Sequence, residues 1–136
     1  MNDSFEKVLD IVNSLSQHEL DYICNGKFID SPYLIYRKIK NGSFIEIYNY
    51  NKEVKDEHPI IGNNILVVSS PNSRRKGNAD YLLKLALKEC PGSFFVYETD
   101  VNNKASINLA IKNGFKLYKK IDGVLYYIYK KDKKCE

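Results

Sequence analysis

Two dipeptides, Asn41-Gly42 and Asp122-Gly123, constrain the fold of this chain more than any other feature. Each joins two runs rich in β-branched and aromatic residues: YLIYRKIK with SFIEIYNY, and FKLYKKI with VLYYIYK. A two-residue type I′ turn needs positive φ at both central positions, which Asn-Gly and Asp-Gly tolerate best, so each pair predicts a tight antiparallel hairpin. Between the hairpins the period changes. ILVVSS reads as an apolar strand, and Leu82, Leu83, Ala86 and Cys90 then recur at helical spacing up to Pro91-Gly92. SFFVYET is a further strand, and a helix holding Ala105 and Leu109 stops at Lys112 to Gly114. Strands joined through helices run parallel, so the sheet is expected to be antiparallel at its ends and partly parallel in its middle.

Two short helices open the chain. Asp3 with Glu6, and Ser16 with Glu19, have the spacing of a capping box. Phe5, Val8, Leu9, Val12 and Leu15 give the first helix an apolar face; Leu20, Ile23 and Cys24 give the second, with Asn25-Gly26 as its stop. NKEVKDEHPIIGN reads as a polar loop. The predicted order is ααββ-βαβαββ, with no internal repeat and no linker. This is an α/β (α+β) protein: a mixed, mostly antiparallel, twisted sheet of about six strands with helices on both faces. Residues 1–136 form one domain, long enough to bury a core and too short for two.

With 43% hydrophobic and 28% charged residues, the chain has the composition of a folded protein. No run approaches the ~18 apolar residues of a membrane span. MNDSFEK is polar and acidic, unlike a secretory signal, so a cytoplasmic location is expected. Cys24, Cys90 and Cys135 are odd in number and lack C-x-x-C spacing, which points to a reducing compartment rather than a disulfide framework or a zinc site. His18 and His58 are not spaced as metal ligands, and no metal is expected. The formal charge of +4 is concentrated in Arg74 to Lys76 and in Lys130, Lys131, Lys133 and Lys134, which permits an anionic partner without requiring one.

The first of these basic clusters matters because a helix begins directly after it. In PNSRRKGNADYLLKLALKE, Pro71 ends a strand and a basic turn leads into a helix. The first amides of a helix have no internal partner and carry the positive end of its dipole. Gly77 removes a side chain where an anion would approach, and Ala79 is small. The amides of Arg75, Gly77, Asn78 and Ala79 would therefore seat a pyrophosphate, with Arg74 and Lys76 adding charge at its edges. The competing reading is a solvated basic turn. Neither G-x-x-x-x-G-K-[ST] nor G-x-G-x-x-G occurs.

The chain does contain R-x-x-G-x-A, and PNSRRKGNADYLL resembles the pyrophosphate-binding segment of the GCN5-related N-acetyltransferases. NKASINLAIKNGF, from Asn103 to Phe115, is similar without a gap to a second segment of that family. The resemblance covers Ile65 to about Lys131, the expected cofactor-binding half. It implies an acyl-CoA N-acyltransferase-like fold that uses acetyl-CoA, releases coenzyme A, and moves acetyl to an amine of a small molecule or peptide by direct attack. It further implies that Val67, Val68 and Ser69 line a strand edge for the pantetheine arm, with the Ser69 amide facing the acetyl carbonyl. Arg74, Arg75, Lys76, Gly77, Asn78 and Ala79 would hold the pyrophosphate, and Asn103 would contact the cofactor. There are two departures. The family's tyrosine, which protonates the leaving thiolate, falls on Ala110, and the strand that often carries a glutamate base reads GNNILVV, with Asn63 and Asn64. Glu98, Ser106 and Glu46 are catalytic candidates from position alone.

Two other functions fit the chain less well. One is a coenzyme A-binding protein of the same fold that is catalytically weak or inactive. The other is a basic nucleic-acid-binding domain, disfavoured because no recognition helix is evident and +4 is little charge for that task. No membrane partner is expected. Edge strands would allow a homodimer.

Overall fold

The structure, a computed structural model, describes residues 4–24, 31–51 and 60–131. The expected Asp3 cap, the Asn25-Gly26 stop, residues 52–59 of the polar loop with His58, and the tail with Lys133, Lys134 and Cys135 lie outside the described residues, as do the side chains of Ile23 and Cys24. The elements are α1 (Phe5–Val12), α2 (Gln17–Cys24), β1 (Leu34–Lys40), β2 (Ser43–Tyr50), β3 (Gly62–Ser69), a 3₁₀ turn (Pro71–Ser73), α3 (Asn78–Glu89), β4 (Phe94–Asp100), α4 (Lys104–Lys112), β5 (Lys116–Ile121) and β6 (Val124–Lys130).

The six strands form one sheet in the order β1-β2-β3-β4-β6-β5. Every neighbouring pair is antiparallel except β3 with β4. Both predicted hairpins are present, with φ of 48° and 83° at Asn41 and Gly42, and 48° and 81° at Asp122 and Gly123. The turn chemistry thus sets the register locally, pairing Lys40 with Ser43 and Ile121 with Val124. Ser4 caps α1, accepting the Glu6 amide through its hydroxyl. Ser16 and Glu19 form the expected reciprocal box: the Ser16 amide donates to Glu19 Oε1 at 3.0 Å, and the Glu19 amide to Ser16 Oγ at 3.3 Å.

Strand alternation sorts the core onto two faces. Ile45, Ile47 and Ile65 point to α3, packing with Leu82, Leu83 and Ala86, and the same core continues through Phe95 and Tyr97 of β4 to Ala110 and Phe115. Phe44 and Val68 point the other way, against Val8, Ile11, Val12 and Leu15 around α1. Helices therefore cover both faces, each fully buried large apolar side chain contributing about 1.5–3 kcal/mol. On the α1 side the hairpin register sets Arg37 opposite Glu46. Arg37 Nε donates to Glu46 Oε2 at 2.7 Å, and the Tyr48 hydroxyl donates to the other carboxylate oxygen. Glu46 is wholly buried. Burial, and then the Glu46 charge, push the Tyr48 phenol far above its ordinary pKa.

Candidate active site

The parallel β3–β4 ladder is short. It runs from Asn63 opposite Phe95 to Ile65 opposite Tyr97 and stops there. Beyond it β3 stays paired with β2 as far as Ser69, and β4 stays paired with β6 as far as Asp100, so the strands separate. The direction of the backbone groups is set by the flanking ladders. Ser70 donates its amide to the Gly42 carbonyl at 2.9 Å, in register with the β2–β3 ladder. Antiparallel bonding alternates, so Leu66 and Val68 face β2, while Val67 and Ser69 turn their N–H and C=O towards β4. On the other side, Lys131 donates to Ser93 at 2.8 Å and Val101 to Gly123 at 3.0 Å. Phe95, Tyr97 and Thr99 thus bond β6, and the backbones of Glu98 and Asp100 turn towards β3. The gap between them is a cleft of ≈ 580 Å³.

Val67, Val68 and Ser69 form one wall, and Glu98, Thr99 and Asp100 the other. Asn103 and Ser106 at the start of α4, and His18 and Glu19 of α2, complete it. The edge role expected of three β3 residues is narrower in the structure. Val68 spends its backbone on Phe44 and its side chain on the α1 core, which leaves the Val67 backbone and the Ser69 amide as the open edge. The Ser69 hydroxyl shares a hydrogen bond with Ser43 at 2.6 Å.

The loop into α3 lies at the end of this wall. Arg75 and Gly77 have φ of 63° and 78°, a left-handed backbone that lifts the chain into the helix. Gly77 is the N-cap, and no side chain caps it. A Cβ built on Gly77 meets nothing within 4 Å, so the ground over the first turn of α3 is open. Arg75 and Lys76 are exposed, whereas Asn78 is buried and Ala79 half-buried. Gly77's open cradle and the unpaired β3 edge fit a diphosphate carried on an extended, amide-bearing arm.

Arg74 is disposed differently from the expectation. Its guanidinium pairs with Glu19 of α2, and its Nε donates to the Ser69 carbonyl at 3.3 Å, tying the loop to α2 across the cleft. Partial burial works against the Glu19 carboxylate, but the Ser16 hydrogen bonds and the Arg74 charge outweigh it and hold its pKa below the ordinary value.

Among the polar candidates, Glu98 stands in the cleft. Its side chain meets solvent, yet the surrounding protein removes enough hydration to raise its carboxyl pKa. Glu46 is corrected: it is sealed between Arg37 and Tyr48 and takes no part in the cleft lining. Asn103 caps α4, its Oδ1 accepting the Ser106 amide at 3.1 Å, while still lining the cleft. Ser106 Oγ lies 2.9 Å from the Tyr97 hydroxyl. Ala110 is fully buried in the core. Asn63 and Asn64 are structural amides, bonded to Asn49 and Pro91, and to Ile60 and Gly62.

Sequence reasoning missed Tyr97, His18 and Glu19 as cleft residues. Tyr97 carries the same two-residue spacing from Phe95 as any core-facing strand residue, and no local signal separates it from the chain's other tyrosines. Among the described residues no group of three or more His, Cys, Asp or Glu is gathered to hold a metal, and no helix is long and apolar enough to cross a membrane.

No protein-family model matches the sequence, and no curated protein matches it either. Solved structures do. A GNAT-family acetyltransferase from Streptococcus agalactiae superposes with a TM-score of 0.59 at 21% identity, covering 94% of this chain and 86% of that one. The yncA protein of Salmonella typhimurium, a proposed acetyltransferase solved with acetyl-CoA, gives 0.56 at 17% identity over 68% of this chain. A proposed acetyltransferase from Acinetobacter baylyi gives 0.56 at 20% identity over 67% of this chain. The chain spans 59% and 57% of the length of the last two. The molecule therefore has the fold of the GCN5-related N-acetyltransferases.

Proposed function

We propose that this chain is an acetyl-CoA-dependent N-acetyltransferase. The observation that supports it most is the fork: two strands part after Ile65 and Tyr97, and the Val67 and Ser69 backbone groups are left facing a cleft. An extended pantetheine arm would bond that edge as an added strand does. Its diphosphate would take the open first turn of α3, held by the amides of Arg75 to Ala79 with the charges of Arg75 and Lys76 beside it. An arm running from Ser69 past Val67 leads to the junction of β3 and β4. The binding of acetyl-CoA by the yncA protein, which shares the fold, supports the same occupant.

The co-substrate would supply an activated acetyl group as a thioester. This chain's residues would do the rest. The Val67 amide, nearer the junction than the Ser69 amide expected in this role, would polarise the acetyl carbonyl, and Glu98 would collect the proton that the attacking amine must lose. A carboxyl with a raised pKa suits that task. The acceptor would be a primary amine on a small molecule or peptide, entering beside α2. The rival reading, coenzyme A binding without catalysis, draws on Ala110, which cannot act as an acid. Calorimetric titration with acetyl-CoA and with coenzyme A tests the shared premise: saturable binding is expected, and its absence removes both readings. Thiol release across an amine panel then separates them, turnover with any acceptor excluding the inactive form.

A further inference from the structure

We propose that the Tyr97 hydroxyl, positioned by Ser106, is the acid that protonates the departing sulfur, acting from strand β4 in place of the helix residue that is alanine here. This inference rests on the acetyltransferase reading.

Location comes first. Tyr97 is the last β4 residue of the parallel ladder, so its side chain stands where the strands begin to part. Its backbone is spent on β6, and its ring lies on the α4 side, tilted against Phe115 with centroids 5.6 Å apart. Only 4% of the residue is exposed, and it lines the cleft. The ring is thereby fixed, and the hydroxyl is aimed at the first turn of α4, where Ser106 meets it at 2.9 Å. Ser106 is itself fixed, because Asn103 accepts its amide.

The packing shows why the acid can come from the strand. Ala110 lies one turn after Ser106 on the same helix face. Long helical side chains lean towards the N-terminus, so a large residue at 110 would extend over Ser106, the corner that the Tyr97 hydroxyl already holds. Ala110 is fully buried, and a methyl group is what that position takes beside the present core. The phenol and the small residue are thus complementary.

The inventory of hydroxyls leads to the same residue. The cleft-lining hydroxyls are those of Ser69, Thr99, Tyr97 and Ser106. Ser69 is engaged with Ser43, and the phenol is by far a stronger acid than the alcohols of Thr99 and Ser106. Burial raises the Tyr97 pKa, against a smaller lowering from Ser106, so it carries its proton at neutral pH.

The proton balance closes. The amine nitrogen forms a bond to the acetyl carbon, and the carbon–sulfur bond breaks with its electron pair going to sulfur. Tyr97 gives its proton to that sulfur, yielding the free thiol, and Glu98 takes the surplus proton from nitrogen. Tyr97 regains a proton from solvent through Ser106, and Glu98 returns its own to solvent.

The test is the titration of the thiol of bound coenzyme A, followed by the ultraviolet absorbance of its thiolate. A Tyr97 hydroxyl that donates to sulfur stabilises the thiolate, so Tyr97→Phe should raise the bound thiol pKa by about one unit or more. Coenzyme A affinity measured by calorimetry should change less than about threefold, because the diphosphate seat is untouched. With an active acceptor, kcat should fall about 10- to 100-fold. A merely structural tyrosine would lower thermal stability or affinity and leave the thiol pKa alone. An unshifted pKa in Tyr97→Phe that still binds coenzyme A overturns this inference and spares the acetyltransferase reading. A wild-type chain that binds no coenzyme A overturns both. Ser106→Ala guards against a misfolded Tyr97→Phe: it should shift the thiol pKa in the same direction by less, and no shift there also overturns the proposal.

Discussion

Arg37–Glu46 and Arg74–Glu19 are the same ion pair in opposite surroundings. The first has side chains 6% and 0% exposed, with Tyr48 bonded to the same carboxylate; the second has 43% and 32% and spans the cleft. Removing one partner from a buried pair strands a charge away from water, whereas an exposed pair is screened and held weakly. The pair under α1 therefore locks the β1–β2 hairpin, while the pair over the fork can exchange partners. The contrast extends to the whole sheet. Between β2 and β3 the facing backbone groups are paired along the whole ladder; on the other edge of β3, where β4 parts from it, backbone and charge remain available to a ligand.

The largest effect that would break this contrast is expected at the buried pair. Arg37→Met should lower stability by about 3–5 kcal/mol, read from the chemical denaturation midpoint. A loss under about 1 kcal/mol would put it in the class of the surface pair.

Next comes Glu98, an ionisable group of the open region. Glu98→Gln should cut acetyl transfer about 100-fold and leave coenzyme A binding intact. Because burial raises its pKa, the carboxylate forms only above the ordinary glutamate value, and the acidic limb of the wild-type kcat/KM profile should lie there. The linkage has a definite sign. A carboxyl whose folded pKa exceeds its unfolded one binds more protons when folded, so stability falls as pH rises from the unfolded pKa through the folded one. Glu98→Gln should abolish that fall; a wild-type and variant difference that does not change across this window would contradict it.

The two valines sharpen the backbone side of the comparison. Val67→Pro removes an N–H directed at the cleft and should weaken acetyl-CoA binding about tenfold, with the sheet retained. Val68→Pro removes a ladder bond to Phe44 and should cost more stability than Val67→Pro. Equal destabilisation would mean that the open edge is not open.

The smallest effect is expected at the exchangeable pair. Glu19→Gln releases Arg74 and should tighten coenzyme A binding a few-fold, while stability shifts by less than about 1 kcal/mol. Weaker binding would show that Arg74 must stay on Glu19 to shape the cleft.

Much of this molecule is set by residues close together in the chain. Asn41-Gly42 and Asp122-Gly123 determine their hairpins because positive φ is a property of two adjacent residues. Ser16 and Glu19 make their box within a single helical turn, and period-two alternation divides Ile45 and Ile47 from Phe44. The helix start at Gly77 was legible for the same reason: its open cradle is local geometry.

The site needed more. That the β3–β4 ladder ends at Ile65 and Tyr97 depends on which strands lie outside it, and those come from distant parts of the chain. Glu46 looked like a strand residue free to do chemistry until the hairpin set Arg37 opposite it. Arg74 could be read as a phosphate ligand, but α2 brings Glu19 to it across 55 residues. Tyr97 and Ser106 are nine residues apart, on a strand and a helix, and only the crossing of those two elements makes them partners. Turn and cap chemistry is decided within a few bonds; pairing, charge compensation and proton donation depend on neighbours that only the folded chain supplies.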